Sequence, residues 1–466
     1  MRPLVIVGDS LLDRDLNGTA RRLAPDAPVP VVDQPAERAR PGGAALAALL
    51  AAFDGRDVTF VTALGDDAAG RTVATLLGDA GVRVVDIGLT GATPEKVRVR
   101  AGGQPLLRVD YGAPSPIRTP ADAALAAIRA APALLVSDYG RGVAADTDVR
   151  TALAHVTHGG THTVWDPHPA GAAPTPGARL VTPNLSEARH YDAESTATPT
   201  PQAVTATATR LRDRWDAAGV VVTMGARGAL FVGPDGTPLV VPARALTGPV
   251  DPCGAGDRFA VAAAGALADG AVASEAVVAA VEAATGFVAG GGAADVETAT
   301  AGDATAGTAV EDGDRAVVPR VAQVRERGGT VVATGGCFDL LHAGHVRLLA
   351  DARRLGDCLI VCMNSDASVR RLKGPGRPVV GEDDRRAVLL ALDAVDDVVT
   401  FDEDTPERVL AELRPDVWVK GADYAVADMP EADLLAAWGG QAVVLPYLAG
   451  RSTTSIIEEA LRHVSH

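Results

Sequence analysis

The sequence predicts an α/β protein with mostly parallel sheets, arranged as two successive domains. Strand-like β-branched runs alternate with Ala- and Leu-rich stretches of helical length, the pattern of strand–helix–strand units. Apolar residues make up 47% of the 466 residues but aromatics only 3%. Ala, Val and Leu must therefore fill the interior, which suits helix-on-sheet layers better than an aromatic-rich sandwich. Between Gly290 and Arg315 the composition shifts to Ala, Thr, Gly and Asp without an apolar period, as a linker does.

The first series of strands is expected at Leu4–Val7, Val58–Val61, Ala133–Val136, Thr163–Trp165 and Val220–Thr223. The second is expected at Val331–Thr334, Cys358–Met363, Asp397–Phe401, Val417–Lys420 and Ala442–Leu445. Segments near Val29–Val32 and Lys96–Arg100 fall outside that rhythm and suit a small β-lid. The Ala-rich stretch Phe259–Ala294 is interrupted by Asp269, Glu275 and Glu282, so it reads as core helices and not as a membrane span. Val317–Arg327 suits a short helix leading into the second domain, and no internal repeat is found. The expected division is a first domain over 1–292, a linker and short helix over 293–327, and a second domain over 328–466.

A formal net charge of −16 argues against nucleic-acid or anionic-membrane partners, because a phosphate surface repels an acidic one. The four cysteines, Cys253, Cys337, Cys358 and Cys362, have neither a disulfide framework nor a CxxC spacing. A reducing, cytoplasmic compartment is expected from that. Met1–Asp9 is a short apolar run ending in an acid, without a signal-peptide cleavage pattern.

The run Asp251-Pro-Cys-Gly-Ala-Gly-Asp257 precedes a long Ala-rich helical stretch. Glycines there let backbone amides approach a phosphate, and a helix N-terminus favours negative charge. An acid at the end of such a loop is poorly placed to hold the phosphate but well placed to take a proton from an attacking hydroxyl. Phosphoryl transfer needs little beyond positioning, charge stabilisation and that acceptor. A Gly-rich turn with an acid at a helix start is also a common structural feature, so the other segments decide. Gly42-Gly43 follows Pro41 and opens a helix. Asn184 and Glu187 sit in Thr-Pro-Asn-Leu-Ser-Glu after a strand, and Thr223-Met-Gly225-Ala-Arg-Gly228 follows another.

This order resembles the ribokinase-like sugar kinases over roughly residues 1–300. The resemblance implies that Asp257 is the catalytic base and that Gly254, Ala255 and Gly256 supply an anion hole. It puts Asn184 and Glu187 near a Mg²⁺–phosphate site, with Glu187 reaching the metal through phosphate or water, and Thr223, Gly225 and Gly228 on the nucleotide. The closer similarity is to the kinase half of the bifunctional heptose enzymes. Gly8-Asp9-Ser-Leu-Leu-Asp13 resembles their early sugar-contacting segment, and Arg22–Val32 resembles their lid. Ser137-Asp-Tyr-Gly-Arg-Gly142 and Thr182–Glu187 also fit. By that resemblance Asp9, Asp13, Gly42 and Gly43 contact the sugar, and the lid could join two copies into a homodimer. Leu46 stands where the family usually has Asn, and leucine cannot hydrogen-bond a sugar hydroxyl. Pro252-Cys253 replaces a Thr-rich approach to the base, and Asp166-Pro-His168 a segment that often reads Asp-Pro-Lys. Arg258 directly follows the base, and a cation there is expected to depress the Asp257 pKa.

Val331-Val-Ala-Thr-Gly-Gly-Cys-Phe-Asp-Leu-Leu-His-Ala-Gly-His345 is the most specific segment in the chain and reads strand, Gly-rich turn, helix start. Two histidines three apart on a first helical turn can present their rings to one phosphate chain, and Gly344 removes a side chain where a nucleotide must come close. Imidazole donors and the helix N-terminus can then stabilise charge on the α- and β-phosphates during displacement. A His-x-x-His without a nearby Cys or acidic ligand is weak for zinc.

The pattern resembles the cytidylyltransferase-like nucleotidyltransferases over residues 328–466, a Rossmann-like HxGH domain. The similarity is closest to the heptose 1-phosphate adenylyltransferase half of the same bifunctional enzymes. Asn364–Pro378, Arg385, Glu403–Pro406, Val419–Tyr424 and Arg451–Ile457 carry it. It implies that His342 and His345 stabilise the transition state and that Lys373 neutralises phosphate charge. It also puts Gly335, Cys337, Phe338 and Asp423 at the nucleotide, and the hydroxyls and amides of Ser452, Thr453 and Thr454 at a phosphate. Gly335 stands where this group often carries Asn.

Together the two resemblances imply an enzyme that uses ATP and Mg²⁺ on small sugar phosphates. It would phosphorylate heptose 7-phosphate at C1 and turn heptose 1-phosphate into ADP-heptose. Another sugar for the first half, CTP or GTP for the second, and a non-catalytic first half stay open at this point.

Overall fold

The computed structural model describes residues 1–25, 27–101, 104–113, 115–194, 200–246, 250–295, 317–421 and 431–445. Most of the expected linker, together with Asp423, Ser452, Thr453 and Thr454, lies outside the described residues. The chain falls into two compact units, one drawn from 1–197, 206–225 and 244–299, the other from 198–205, 226–243 and 300–466.

In the first unit seven parallel strands lie in the order Arg83–Asp86, Val58–Thr62, Leu4–Gly8, Ala133–Ser137, His162–Asp166, Leu180–Val181, Val220–Thr223. All five strands expected for this half are present. The sequence pattern does not announce the other two: Arg83–Asp86 is a partly exposed edge strand, and Leu180–Val181 is two residues long, too short to carry a period. The central strands are buried at every position, as in parallel sheets that helices cover on both faces. The Ala-rich helix Ala255–Ala268 packs on Ala133–Ser137 and His162–Asp166, and against the helices Ala44–Phe53 and Ala273–Ala289.

From Leu4–Gly8 the chain builds outward to Arg83–Asp86, then returns to the other side and builds from Ala133–Ser137 to Val220–Thr223. The winding therefore reverses between Leu4–Gly8 and Ala133–Ser137, where the carboxyl ends of neighbouring strands diverge and leave a crevice for ligands. Gly8 lets these two strands meet. A Cβ there would lie 2.0 Å from the Ser137 carbonyl oxygen and 2.7 Å from the Ala44 Cβ.

The lid is larger than the sequence suggests. Four strands, Pro30–Gly43, Ser10–Leu23, Glu95–Ala101 and Gln104–Tyr111, form a separate sheet in that order. Asp13 consequently lies inside a 14-residue lid strand and not in a strand-end turn. Charged residues at many of its positions mask this strand's pattern, because its outer half is largely exposed.

In the second unit five parallel strands run Asp397–Phe401, Cys358–Asn364, Val331–Gly336, Val417–Gly421, Gln441–Leu445. All five are expected from the sequence, and the winding again reverses beside the first of them in the chain, Val331–Gly336. The short helix expected before it is present as Val317–Glu326. The antiparallel hairpin Ala229–Val232 and Pro238–Val241 also belongs to this unit. No helix among the described residues is long and apolar enough to cross a membrane.

Gly8→Ala is expected to destabilise the first unit by about 1–3 kcal/mol through overpacking. Urea titration followed by the fluorescence of the buried Trp165 would register an earlier transition; an unchanged midpoint would mean that the two strands separate freely.

Candidate active sites

Asp9 follows the first strand of the first unit. Its carboxylate accepts the backbone N–H groups of Tyr139 at 3.1 Å, Arg141 at 2.9 Å and Val143 at 3.0 Å. Its carbonyl accepts the Ala44 amide at 3.0 Å. Asp9 thus joins the two strand ends at the crevice, a structural task beside the sugar contact that the resemblance implies. Asp13 accepts a hydrogen bond from Arg98 at 2.6 Å, and Arg40 lies 3.8 Å from its other oxygen. Gly42 leaves room for this carboxylate, since a Cβ there would lie 2.6 Å from Asp13 Oδ2. Gly43 adopts φ +63° and caps the helix Ala44–Phe53.

Gly254 adopts φ +81° and caps Ala255–Ala268. A side chain at 254 would lie 3.0 Å from Leu46, 3.2 Å from Phe287 and 3.3 Å from Ala293. Leu46, 3% exposed, is therefore part of an apolar floor beneath the glycine turn. That packing accounts for leucine at this position: asparagine would bury an amide there. The Ala255 amide bonds to the Pro252 carbonyl at 3.1 Å, closing the turn that leads into the helix.

Asp257 lies on the first turn of this helix and is 6% exposed. The Tyr139 hydroxyl donates to its Oδ1 at 2.8 Å. Burial pushes the Asp257 carboxyl up to about 7; Asp13 adds to the rise, and the Tyr139 hydrogen bond and Lys96 oppose it. These effects outweigh Arg258, whose guanidinium is paired with Asp54 at 2.6 Å.

Asn184 and Glu187 form a capping box at the start of Leu185–Tyr191. The Asn184 side chain accepts from the amides of Ser186 and Glu187, and the Glu187 carboxylate from the amide of Asn184 at 2.8 Å. Burial raises the Glu187 carboxyl. Burial, and then the charge of Glu187, hold Asp166 well above the usual carboxylate range. Thr223 lies beside Asn184, its amide bonded to the Pro183 carbonyl at 3.0 Å. Gly225, at φ +62°, opens the single turn Gly225–Arg227. Gly228 is glycine for closeness: a Cβ there would lie 2.0 Å from the Val241 carbonyl oxygen.

The structure thus gathers Asp9, Asp13, Gly43 and Asp257 around Tyr139, while Asn184 and Thr223 meet at the ends of two further strands. Sequence reasoning quotes Tyr139 and Asp166 within motifs and Lys96 within the lid, but gives none of the three a role of its own. The Lys96 ammonium lies 5.8 Å from the Tyr139 ring centroid, and burial lowers its pKa. His168 stacks on the same ring at 6.1 Å. Asp166 ends a strand and Tyr139 follows one, which is the signal that was available.

In the second unit His342 caps the helix Ala343–Arg353. Its Nδ1 accepts the Gly344 amide at 3.2 Å, which leaves Nε2–H as a donor. The rings of His342 and His345 lie 4.0 Å apart, and Phe338, at φ +45°, packs 5.4 Å from His345. Burial, then the adjacent His342, lowers the His345 pKa to about 4, so its ring is neutral at physiological pH.

The Gly335–Phe338 turn is held from beneath by Arg385, 2% exposed. Its guanidinium donates to the carbonyls of Cys337, Asn364 and Val380 and to Asp366. Asp339, 3% exposed, accepts the amides of Val379 at 2.6 Å and Val380 at 3.1 Å and pairs with Arg377. Burial raises the Cys337 thiol pKa, and Lys373, in the last turn of Asp366–Lys373, opposes that rise more than any other charge. Gly335 has a packing reason: a Cβ there would lie 2.5 Å from the ring of the fully buried Trp418. Among the described residues no group of three or more His, Cys, Asp or Glu side chains could hold a metal by itself.

Residues 1–306 match the pfkB family carbohydrate kinases and residues 333–458 match the cytidylyltransferase-like proteins. The fold agrees with that of phosphofructokinase-2 from Escherichia coli, crystallised with substrates and products. That structure is 18% identical, has a TM-score of 0.50, and the match covers 64% of this chain and 97% of that one. The chain is 57% identical over 460 residues to the bifunctional protein HldE of Streptomyces coelicolor, covering 98% of this chain and 96% of the relative. It is 38% identical to that of Paramagnetospirillum magneticum, again covering 98% and 96%. The chain is an enzyme with a kinase half and a nucleotidyltransferase half, and it belongs to the family of bifunctional HldE proteins.

The His345 ring is expected to stay neutral from pH 5.5 to 8, as followed by long-range ¹H–¹⁵N correlations of its imidazole. A titration midpoint near the ordinary 6.5 would contradict the burial described above.

Proposed function

We propose that the kinase half moves the γ-phosphate of ATP onto the anomeric hydroxyl of heptose 7-phosphate, giving the 1,7-bisphosphate and ADP. After a separate phosphatase removes the 7-phosphate, the transferase half joins heptose 1-phosphate to the adenylyl group of a second ATP. ADP-heptose forms and pyrophosphate leaves. The observation that carries this reading is the occurrence, in a chain so similar to HldE proteins, of two distinct helix-start sites. One has a buried carboxylate poised near neutrality, the other a pair of neighbouring imidazoles.

In the kinase step Asp257 accepts the proton of the C1 hydroxyl as its oxygen attacks the γ-phosphorus and the bond to the β-bridging oxygen breaks. A carboxyl near 7 is half ionised at neutral pH, so the rate should climb as pH rises through about 7. Gly254 and Gly256 leave the helix start open to the transferring group, and Thr223, Gly225 and Gly228 hold the nucleotide. Asp9, Asp13, Gly42 and Gly43 shape the sugar side.

Burial and the neighbouring charge of Glu187 hold Asp166 protonated more readily than a free carboxyl, and a magnesium ion carried on phosphates and water would offset that repulsion, since among the described residues no ligand cluster could cage an ion by itself. Glu187 would hold it through water, and the ion would supply charge screening along the phosphates.

In the transferase step the sugar phosphate oxygen attacks the α-phosphorus. The His342 Nε2–H donates to the phosphate oxygens as charge builds, and His345 stabilises the transition state beside it. Lys373 neutralises the leaving pyrophosphate, Gly335, Cys337 and Phe338 line the nucleotide, and Asp423 and Ser452–Thr454 complete the binding by resemblance. The proposed domains are 1–292 and 328–466, joined through 293–327, in a cytoplasmic enzyme that pairs through its lid.

Asp257→Asn should lower the kinase rate about 10²–10⁴-fold and spare pyrophosphate release. His345→Ala should lower adenylyl transfer about 10²–10³-fold and spare the kinase. Loss of both reactions in either folded variant would rule out two independent sites. Mass spectrometry of products, with ATP, CTP and GTP offered against a panel of sugar phosphates, tests the substrates; a better turnover with another sugar or nucleotide would replace the heptose or adenylyl assignment.

A further inference from the structure

We infer that Tyr139 is a positioning residue for the phosphoryl-transfer step: its hydroxyl, donating to Oδ1 of Asp257 at 2.8 Å, fixes the carboxylate so that the other oxygen faces the sugar hydroxyl. The inference rests on the reading of Asp257 as proton acceptor.

Tyr139 is itself held at both ends. Its backbone N–H is bound by Asp9 at 3.1 Å, and the next residue's amide by Asp138 at 2.7 Å. Its ring is neighboured by the Lys96 ammonium, 5.8 Å from the centroid, and by His168, stacked at 6.1 Å. Gly43, at the root of the lid, passes beside the ring, since a Cβ on it would lie in ordinary contact at 3.5 Å. The phenol has little freedom to turn away, and its partner stands on the first turn of a helix packed into the sheet. A carboxylate free to rotate would offer either oxygen in any direction, whereas one pinned at Oδ1 offers one oxygen along one line. Such restriction is what proximity catalysis requires.

The hydrogen bond has a second effect. Burial, then the charge of Asp257, raises the Tyr139 pKa well above its ordinary value, so the phenol stays protonated and donates throughout the working pH range. A donor to the ionised carboxylate favours that form, so Tyr139 restrains the upward push that burial gives Asp257. The other groups that face Asp257 are Asp13 and Lys96 from the lid strands and Asp166 from the end of its strand, with Cys253 close to Tyr139. Arg258 is turned to Asp54. Removing only the phenol oxygen leaves all of these in place.

The test measures kinase kcat, KM for the sugar phosphate, and the pH profile of the full chain carrying Tyr139→Phe, beside Asp257→Asn. The expected result is a kcat lower by roughly ten- to a hundredfold, a KM within about threefold, and an acidic limb moved to higher pH. A purely structural role would lower the rate equally at every pH. An unshifted limb, or an unchanged kcat, overturns the inference while leaving Asp257 as base if Asp257→Asn is inactive; an active Asp257→Asn ends both readings. Should Tyr139→Phe fail to fold, 3-fluorotyrosine at 139 keeps the shape with a more acidic phenol. It should move the limb to lower pH, and no movement overturns the inference.

Discussion

The first unit depends on one buried carboxylate set among backbone amides. Asp9 stands where the winding of the sheet reverses, and three N–H groups of the turn after Ala133–Ser137 converge on it. Hydrogen bonds to a charged acceptor contribute about 1.5–3 kcal/mol each, and leaving such a charge unbonded in the interior would be far worse. The turn is therefore not free to choose its path. Tyr139 stands on that turn, Asp257 meets Tyr139, and the helix carrying Asp257 begins at a glycine floored by Leu46. A charge just after the first strand thus sets where chemistry happens on a helix almost 250 residues later.

The second unit solves the same problem with the opposite sign. Arg385 is as buried as any aliphatic side chain, yet its guanidinium is occupied by three carbonyls and one carboxylate. Asp339 holds the facing loop through two amides. Between them the turn leading to His342 is fixed before any nucleotide arrives, so the imidazoles need little reorganisation when charge develops. Both units place a fully satisfied ion beneath the loop that must be rigid, and reserve glycine for the loop itself.

Much of this was legible in the sequence. The buried parallel strands carry continuous β-branched runs, and every expected one is present, because a strand covered on both faces has no other composition open to it. The glycine turns and the acid or histidines beside them stand out for the same local reason. What the sequence hid is non-local. Asp13 gives no sign of standing in a strand, because the lid strand that contains it is too charged and, in its outer half, too exposed to show a period. Arg258 looks like a neighbour of the base, but on a helix consecutive side chains diverge, and it finds Asp54 instead. Leu46 looks like a lost sugar contact until Gly254 is seen above it. Tyr139 carries no signal of its partner, which lies more than a hundred positions away.

Gly335 and Trp418 bear on how such a chain can change over generations. The indole fills the space that a side chain on the neighbouring strand would need, so position 335 cannot gain a side chain while the indole stays. A lineage that acquired the tryptophan would be bound to glycine at the mouth of its nucleotide turn until the ring was first made smaller. Order of substitution, and not only their sum, is then written into the sheet.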